Sequence, residues 1–284
     1  MFGSRLLLAA LAATSAVATV PPTKSGYKLV WSDNFTGTAG STVSTSKWNI
    51  ITGPNNANGE LEVYTASSDN HHLTADNTLV IIPKKDGSGG WTSARLESIY
   101  TFTPANQHMT IVEAEIRFGT NAMANKQGIW PAFWMLGDSI RHGTSWPECG
   151  EIDILETIDG QFTGHGTVHC DVSPGGICDE TTGLGGPVSF SGNGWQTWSV
   201  EIDRTASAWQ QNSITFKLNG NEYWQVTGAT IGDLSVWQTL VASPLYIIVN
   251  VAVGGDWPGD PNAQTMGGAG SEMEVSYIAQ YQSN

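Results

Sequence analysis

Basic side chains are scarce: 12 Lys and Arg stand against 26 Asp and Glu, a formal net charge of −14. Such a chain repels polyphosphate backbones and anionic bilayers, so neither nucleic acid nor a membrane is expected as partner. Charge of either sign is sparse, at 13% of residues, so Ser, Thr, Asn, Gln and Gly must carry the surface. That composition suits a secreted β protein, and the charge suits a neutral or basic substrate. Cysteine numbers only three, which excludes a disulfide-dense miniprotein and a multi-cysteine metal cluster. Internal repeats, linkers rich in Pro or Ser, and long helical periodicity are absent. No apolar run is long enough to cross a bilayer.

The longest apolar run near the start is Leu6–Ala13, in "MFGSRLLLAALAATSAVATV". Arg5 precedes it and Ala16-Val17-Ala18 follows as a small-residue cleavage site, the pattern of a secretory leader. The expected organisation is a signal peptide over 1–18 and one catalytic domain over 19–284, released outside the cell or held in a wall, as a monomer. Cys170 and Cys178 bracket "DVSPGGI", a Gly/Pro loop that a disulfide can close in an oxidising compartment. Cys149 is then left as a buried free thiol. Asn34-Phe35-Thr36 is a glycosylation sequon.

What is abundant is aromatic residues, 12 of them Trp, and two-residue alternation. "MTIVEAEIRF" puts Met109, Ile111, Glu113, Glu115 and Arg117 on one face and Thr110, Val112, Ala114, Ile116 and Phe118 on the other. "SITFKLNGNEYWQV" reads as a hairpin with Asn219-Gly220 as its turn. "PLYIIVNVAV" is apolar on both faces and belongs deep inside. The predicted fold is all-β: a jelly-roll sandwich of two antiparallel sheets with a concave substrate cleft.

One segment breaks the apolar logic. "CGEIDILETIDG" interleaves Glu151, Asp153 and Glu156 with Ile152, Ile154 and Leu155. Glu151 and Asp153 share a strand face, but strict alternation sends Glu156 into the core. A bulge near Ile154-Leu155 would return it beside the other two. Crowded, part-buried acids share protons, and one ionised Glu beside one protonated Glu is what glycoside hydrolysis requires. In that reading Asp153 hydrogen-bonds the nucleophile. The alternatives are a solvated acidic strand edge and a calcium site. Around the acids stand Trp130, Trp134, Trp146 and Trp257, whose faces can carry sugar rings while their N–H groups bond hydroxyls. Each of them, taken singly, can equally be a core residue. His169 is a candidate partner of a sugar or of the acid/base Glu. Asn58, Glu60 and Arg95 are candidates for hydroxyl recognition.

These stretches together resemble glycoside hydrolase family 16, in its endo-β-1,3-glucanase (laminarinase-like) group. The resemblance runs through "LVWSDNF", "NGELEVYT", "TSARLES", "GIWPAFWMLG", "WPECGEIDILE", "GTVH" and "NVAVGGDWPG". It implies Glu151 as nucleophile, Asp153 as its assistant and Glu156 as acid/base. It implies Trp130, Trp134 and Trp146 as glucan-binding, and so also Asn58, Glu60, Arg95, His169 and Trp257. Family members commonly carry acids, related to a structural calcium ion, where Asn34 and Ser276 stand here, so no metal and no other cofactor is expected. The activity implied is retaining hydrolysis of β-1,3-glucan, extending to β-1,3-1,4-glucan. The alternatives are a β-1,3-galactanase on the same scaffold and a non-catalytic sugar-binding jelly roll.

Overall fold

The computed structural model describes residues 19–55 and 57–284; the expected leader lies outside the described residues. Two large antiparallel sheets face each other. The first has seven strands, in the order Leu184–Ser189, Thr163–His169, Glu151–Glu156, Ile129–Gly137, Leu245–Val253, Arg95–Phe102 and Trp48–Ile51. The second has eight, with Met109–Phe118 and Met273–Ser283 at its centre and Tyr27–Asp33 paired to the latter. The expected jelly roll is the fold.

Alternation explains how the layers pack. Val112, Ala114, Ile116 and Phe118 enter the core between the sheets, whereas Ile111 joins Tyr277, Ala279 and Tyr281 in a small cluster on the outer side. Glu113, on the outer face with Ile111, is buried but answered by Lys24 Nζ at 2.7 Å and the Tyr277 hydroxyl at 2.8 Å. From the seven-stranded sheet, Phe133, Met135, Ile152, Ile154, Leu155 and Val249 meet that core. The Leu245–Val253 strand is buried throughout. Its inward residues join the main core, while Tyr246 and Ile248 pack with Leu136 and Cys149 beneath Trp134, Ile140 and Trp146 on the opposite side. The site therefore rests on a second apolar cluster.

Asn219 and Gly220 have φ of 50° and 80° between Ser213–Leu218 and Asn221–Thr227, the positive pair of the expected turn. Cys170 and Cys178 are disulfide-bonded, and Cys149 is free and buried. One element differs from a plain two-sheet sandwich. A four-stranded sheet of short segments lies beside the site, and within it Glu62–Tyr64 pairs in parallel with Trp91–Ser93. It carries Glu62 and Tyr64 towards the cleft, a placement that alternation alone does not reveal.

Candidate active site

The bulge falls where the spacing of the acids requires it. Leu155 pairs with Phe133 and Asp153 with Trp134, so Ile154 has no partner on the Ile129–Gly137 strand. The other neighbour shows the same shift: Asp153 pairs with Thr167 and Glu156 with His165. Ile154 and Leu155 are both fully buried in the core, and Glu156 returns to the face of Glu151 and Asp153.

Trp130, two residues before Ala132 and so on the face of Glu156, donates its indole N–H to Glu156 Oε1 at 2.9 Å. Trp146 lies beside Glu151 and favours its charged form. Trp134 donates to Asn250 Oδ1 at 2.8 Å. The Trp130 and Trp134 indoles thus direct their N–H groups at the protein, contrary to the expectation that they meet sugar hydroxyls, because each is seated beside a buried acceptor that needs a donor. Trp257 is 42% exposed and stands edge-on to Trp130 and His165, with centroids 5.5 and 5.0 Å away. It forms an aromatic lip on the Glu156 side.

His169 pairs with Glu151 across the strands. Its Nδ1 meets Glu180 Oε2 at 2.7 Å, and its Nε2 lies 3.4 Å from Asp153 Oδ2. These atoms therefore meet Asp153 and Glu180 and not the Glu156 carboxylate. Asp153 Oδ2 has no hydrogen-bond partner among the described residues. The expected bond from Asp153 to the nucleophile is replaced by this approach to His169.

Arg95 also differs from expectation. Its Nε and Nη2 both donate to Glu97 Oε1, at 3.0 and 2.8 Å, and its guanidinium lies 4.8 Å from the centre of the Trp134 ring. Arg141 donates to the other oxygen of Glu97 at 3.0 Å. Arg95 thus underpins Trp134 and supplies positive potential to Glu151 instead of presenting a free fork to a hydroxyl. Glu60 accepts from Asn55, from Asn58 Nδ2 at 3.3 Å and from the Tyr64 hydroxyl at 3.4 Å. Asn58 is exposed at φ 55°, and its carbonyl receives the Asp256 N–H at 2.7 Å, which ties this rim to the Trp257 loop.

The acids are electrostatically unequal. Burial, and then the Glu180 charge, raise Glu151, opposed by His169, Arg95 and Trp146. Burial, with the Glu151 charge, lifts Glu156 to about 7 against the pull of His169. Asp153 is raised well above the usual range, by burial first and then by Glu151 and Glu156. Burial disfavours a charged His169, yet the Glu180 hydrogen bond and the charges of Glu151, Glu180 and Glu156 outweigh it and raise the ring. Glu151 thus has the stronger support for ionisation, and Glu156 holds a proton near neutrality.

Glu151, Asp153 and His169 are the one group of acids and imidazoles among the described residues whose polar atoms converge within 4.8 Å. Asn34 and Ser276 take no part in it: Asn34 Oδ1 accepts from its own sequon's Thr36, and Ser276 is buried. Alternation and composition missed Glu180, Glu62, Tyr64, His165 and Asn250. Only Glu180 had a local cue, an acid just beyond Cys178 in "CDE".

A part-protonated and a better-ionised glutamate on one strand face, under tryptophans, define a glycoside hydrolase site of the two-carboxylate kind. A family model described as "XgeA-like, catalytic GH16 domain" matches residues 48–183. The crystal structure of endo-1,3-beta-glucanase from Streptomyces sioyaensis superposes with a TM-score of 0.88 at 34% identity, covering 94% of this chain and 100% of that one. The chain belongs to glycoside hydrolase family 16. Among curated relatives, Glucan endo-1,3-beta-glucosidase A1 of Niallia circulans is 29% identical over 92% of this chain and 38% of its own length. Keratan-sulfate endo-1,4-beta-galactosidase of Sphingobacterium multivorum is 28% identical over 90% of this chain and 55% of its own. The chain thus spans from about a third to about half of the length of these two relatives.

Proposed function

We propose that this protein is a retaining endo-β-1,3-glucanase that also accepts β-1,3-1,4-glucan. The observation that carries the reading is the bulge at Ile154, which sets Glu151 and Glu156 on one face, both raised by burial, with His169 and Arg95 opposing the rise at Glu151. Glu151 attacks the anomeric carbon while Glu156 gives its proton to the leaving glycosidic oxygen. The leaving chain departs and a covalent glycosyl ester remains on Glu151. Glu156, now a carboxylate, takes a proton from water, whose oxygen attacks the anomeric carbon and frees Glu151. Trp130, Trp134, Trp146 and Trp257 supply ring faces to the glucan, with Asn58 and Glu60 at the rim. His169 and Arg95 support the charge on Glu151, and Asp153 completes the proton-sharing cluster.

The similarity to the Streptomyces sioyaensis enzyme over nearly the whole chain supports β-1,3-glucan as substrate. The net charge of −14 disfavours sulfated or uronic polymers. The Arg5-led apolar leader supports secretion or wall retention, and Asn34 supports glycosylation; a monomer suffices for the site. Reducing-sugar release from laminarin, barley β-glucan and β-1,3-galactan tests the reading. Laminarin should be the preferred substrate. Turnover of galactan alone would place the chain with galactoside hydrolases, and binding without turnover of any polymer would make it a sugar-binding protein.

A further inference from the structure

Glu180 lies outside the carboxylate strand, two residues past Cys178, and its side chain is 0% exposed. Both of its oxygens have partners. Oε2 meets His169 Nδ1 at 2.7 Å, and Oε1 accepts the Cys170 N–H at 2.8 Å. Its backbone exchanges two hydrogen bonds with Gly175, each 2.6 Å, inside the loop that the Cys170–Cys178 disulfide closes. The carboxylate is therefore fixed from its backbone and through both oxygens.

The ring itself is constrained as well. A Cβ on Gly183, where φ is +75°, would lie 2.6 Å from His169 Cε1, so only glycine leaves room for the imidazole. Trp146 closes another side at a centroid distance of 5.6 Å. With Nδ1 directed at a carboxylate, Nε2 has one direction left, towards Asp153 Oδ2 at 3.4 Å. The charged groups acting on the ring are Glu151 and Glu156 on the carboxylate strand, which also brings Asp153 to Nε2, and Glu180 just beyond the disulfide loop; Arg95 acts on Glu151 as a second cation.

We propose that Glu180 is a positioning residue for the reaction: held by the disulfide loop, it fixes His169 as a cation directed at Asp153 and Glu151. This rests on the glycosidase reading above. A buried imidazole without such a partner would favour its neutral form. Glu151 would then lose a counter-charge and tend to hold a proton, which blocks attack on the anomeric carbon. Glu180 touches neither substrate nor reacting atoms; its own charge raises Glu151, so whatever it adds to the ionisation of Glu151 comes through His169.

A double-mutant cycle tests this with Glu180→Gln, His169→Gln and the pair. Gln at 180 keeps a hydrogen-bond acceptor but removes the charge. Glu180→Gln should lower kcat roughly tenfold, in line with the loss of one preorganised electrostatic contact, while KM stays within about twofold. The double variant should be no slower than His169→Gln alone, because both changes disable one device. Multiplying losses, or an unchanged kcat with only a lower Tm, would overturn the proposal and leave Glu180 a structural residue. NMR of histidine ring nitrogens in the wild-type protein needs neither variant nor substrate. Both nitrogens of His169 should be protonated at pH 7, and a neutral ring there would overturn the proposal even if Glu180→Gln fails to fold. A wild type inactive on every glucan and galactan would instead defeat the functional reading, with the ring measurement still deciding the Glu180 contact.

Discussion

Trp130 donates its indole N–H to Glu156 across 2.9 Å, and the same ring meets Trp257 edge-on at 5.5 Å. One residue thus orients the proton donor and builds the wall that a sugar would lean on. The donation favours the charged form of Glu156, yet burial and the Glu151 charge prevail and leave it at about 7. Glu156 is therefore held in place without being stripped of its proton.

The roles of the two glutamates separate by chemical rescue. Glu151→Ala and Glu156→Ala should each lose activity on glucan by a factor on the order of 10⁴. With an activated aryl β-glycoside and azide, Glu151→Ala should give the α-glycosyl azide, because azide replaces the nucleophile. Glu156→Ala should give the β-glycosyl azide, because azide intercepts the covalent ester. Exchanged anomers, read by proton NMR, would reverse the assignment, and an inverted wild-type product would remove the covalent step.

Activity and stability should both decline in mild alkali. Above a pH of about 7, Glu156 loses the proton it must donate, so the alkaline limb of kcat/KM should fall there. Glu62 is raised to about 8, chiefly by burial and then by Glu60, and Glu272 to about 7 by burial and Glu274. A carboxyl raised in the folded state binds protons more tightly than in the unfolded chain. Its stabilisation is complete below the ordinary value of 4.5 and is lost as pH climbs towards 7 and 8. Tm should be higher at pH 5 than at pH 8.5.

Glu62→Gln should flatten that pH dependence. Glu62 is 1% exposed, with Oε2 accepting the Val253 N–H at 2.7 Å and Oε1 lacking a donor beside Glu60. A glutamine amide keeps the acceptor and supplies the N–H that a shared proton otherwise provides. At pH 8.5 the variant should be more stable than wild type by about 1 kcal/mol. Equal Tm profiles for the two proteins would show that Glu62 does not carry the effect.

The tryptophans should divide into two kinds. Trp257→Ala, at an exposed lip, should raise KM about tenfold with Tm unchanged, the loss of one aromatic stacking surface. Trp134→Ala removes the ring between Arg95 and Asn250 and should lower Tm as well as activity. A Trp257→Ala enzyme with wild-type KM on long glucans would take that ring out of the binding surface.

Thiol titration of denatured, unreduced protein should count one cysteine. Cys149 is buried and its thiol is pushed up to about 12, mainly by burial, so the native protein should not react at all. Three thiols would contradict the Cys170–Cys178 bond. Chelation should leave turnover unchanged, and a loss restored by calcium would assign a metal to this chain.

The sequence by itself determined the layers, the acid triplet and the disulfide, because these are local. Alternation needs only the period of two along a strand, and the spacing from Glu151 to Glu156 betrays its own bulge. The Gly/Pro loop between Cys170 and Cys178 closes over a short span of chain. Tertiary structure decided what each polar atom meets. Arg95 reads as a free recognition group until Glu97 is placed beneath it, and two indole N–H groups look available until Glu156 and Asn250 arrive. Glu62 and Tyr64 reach the site on a small sheet whose parallel pairing joins segments distant in sequence. Ionisation was decided last of all. Whether Glu156 keeps a proton depends on burial and on every charge around it, and those distances exist only once the chain is folded.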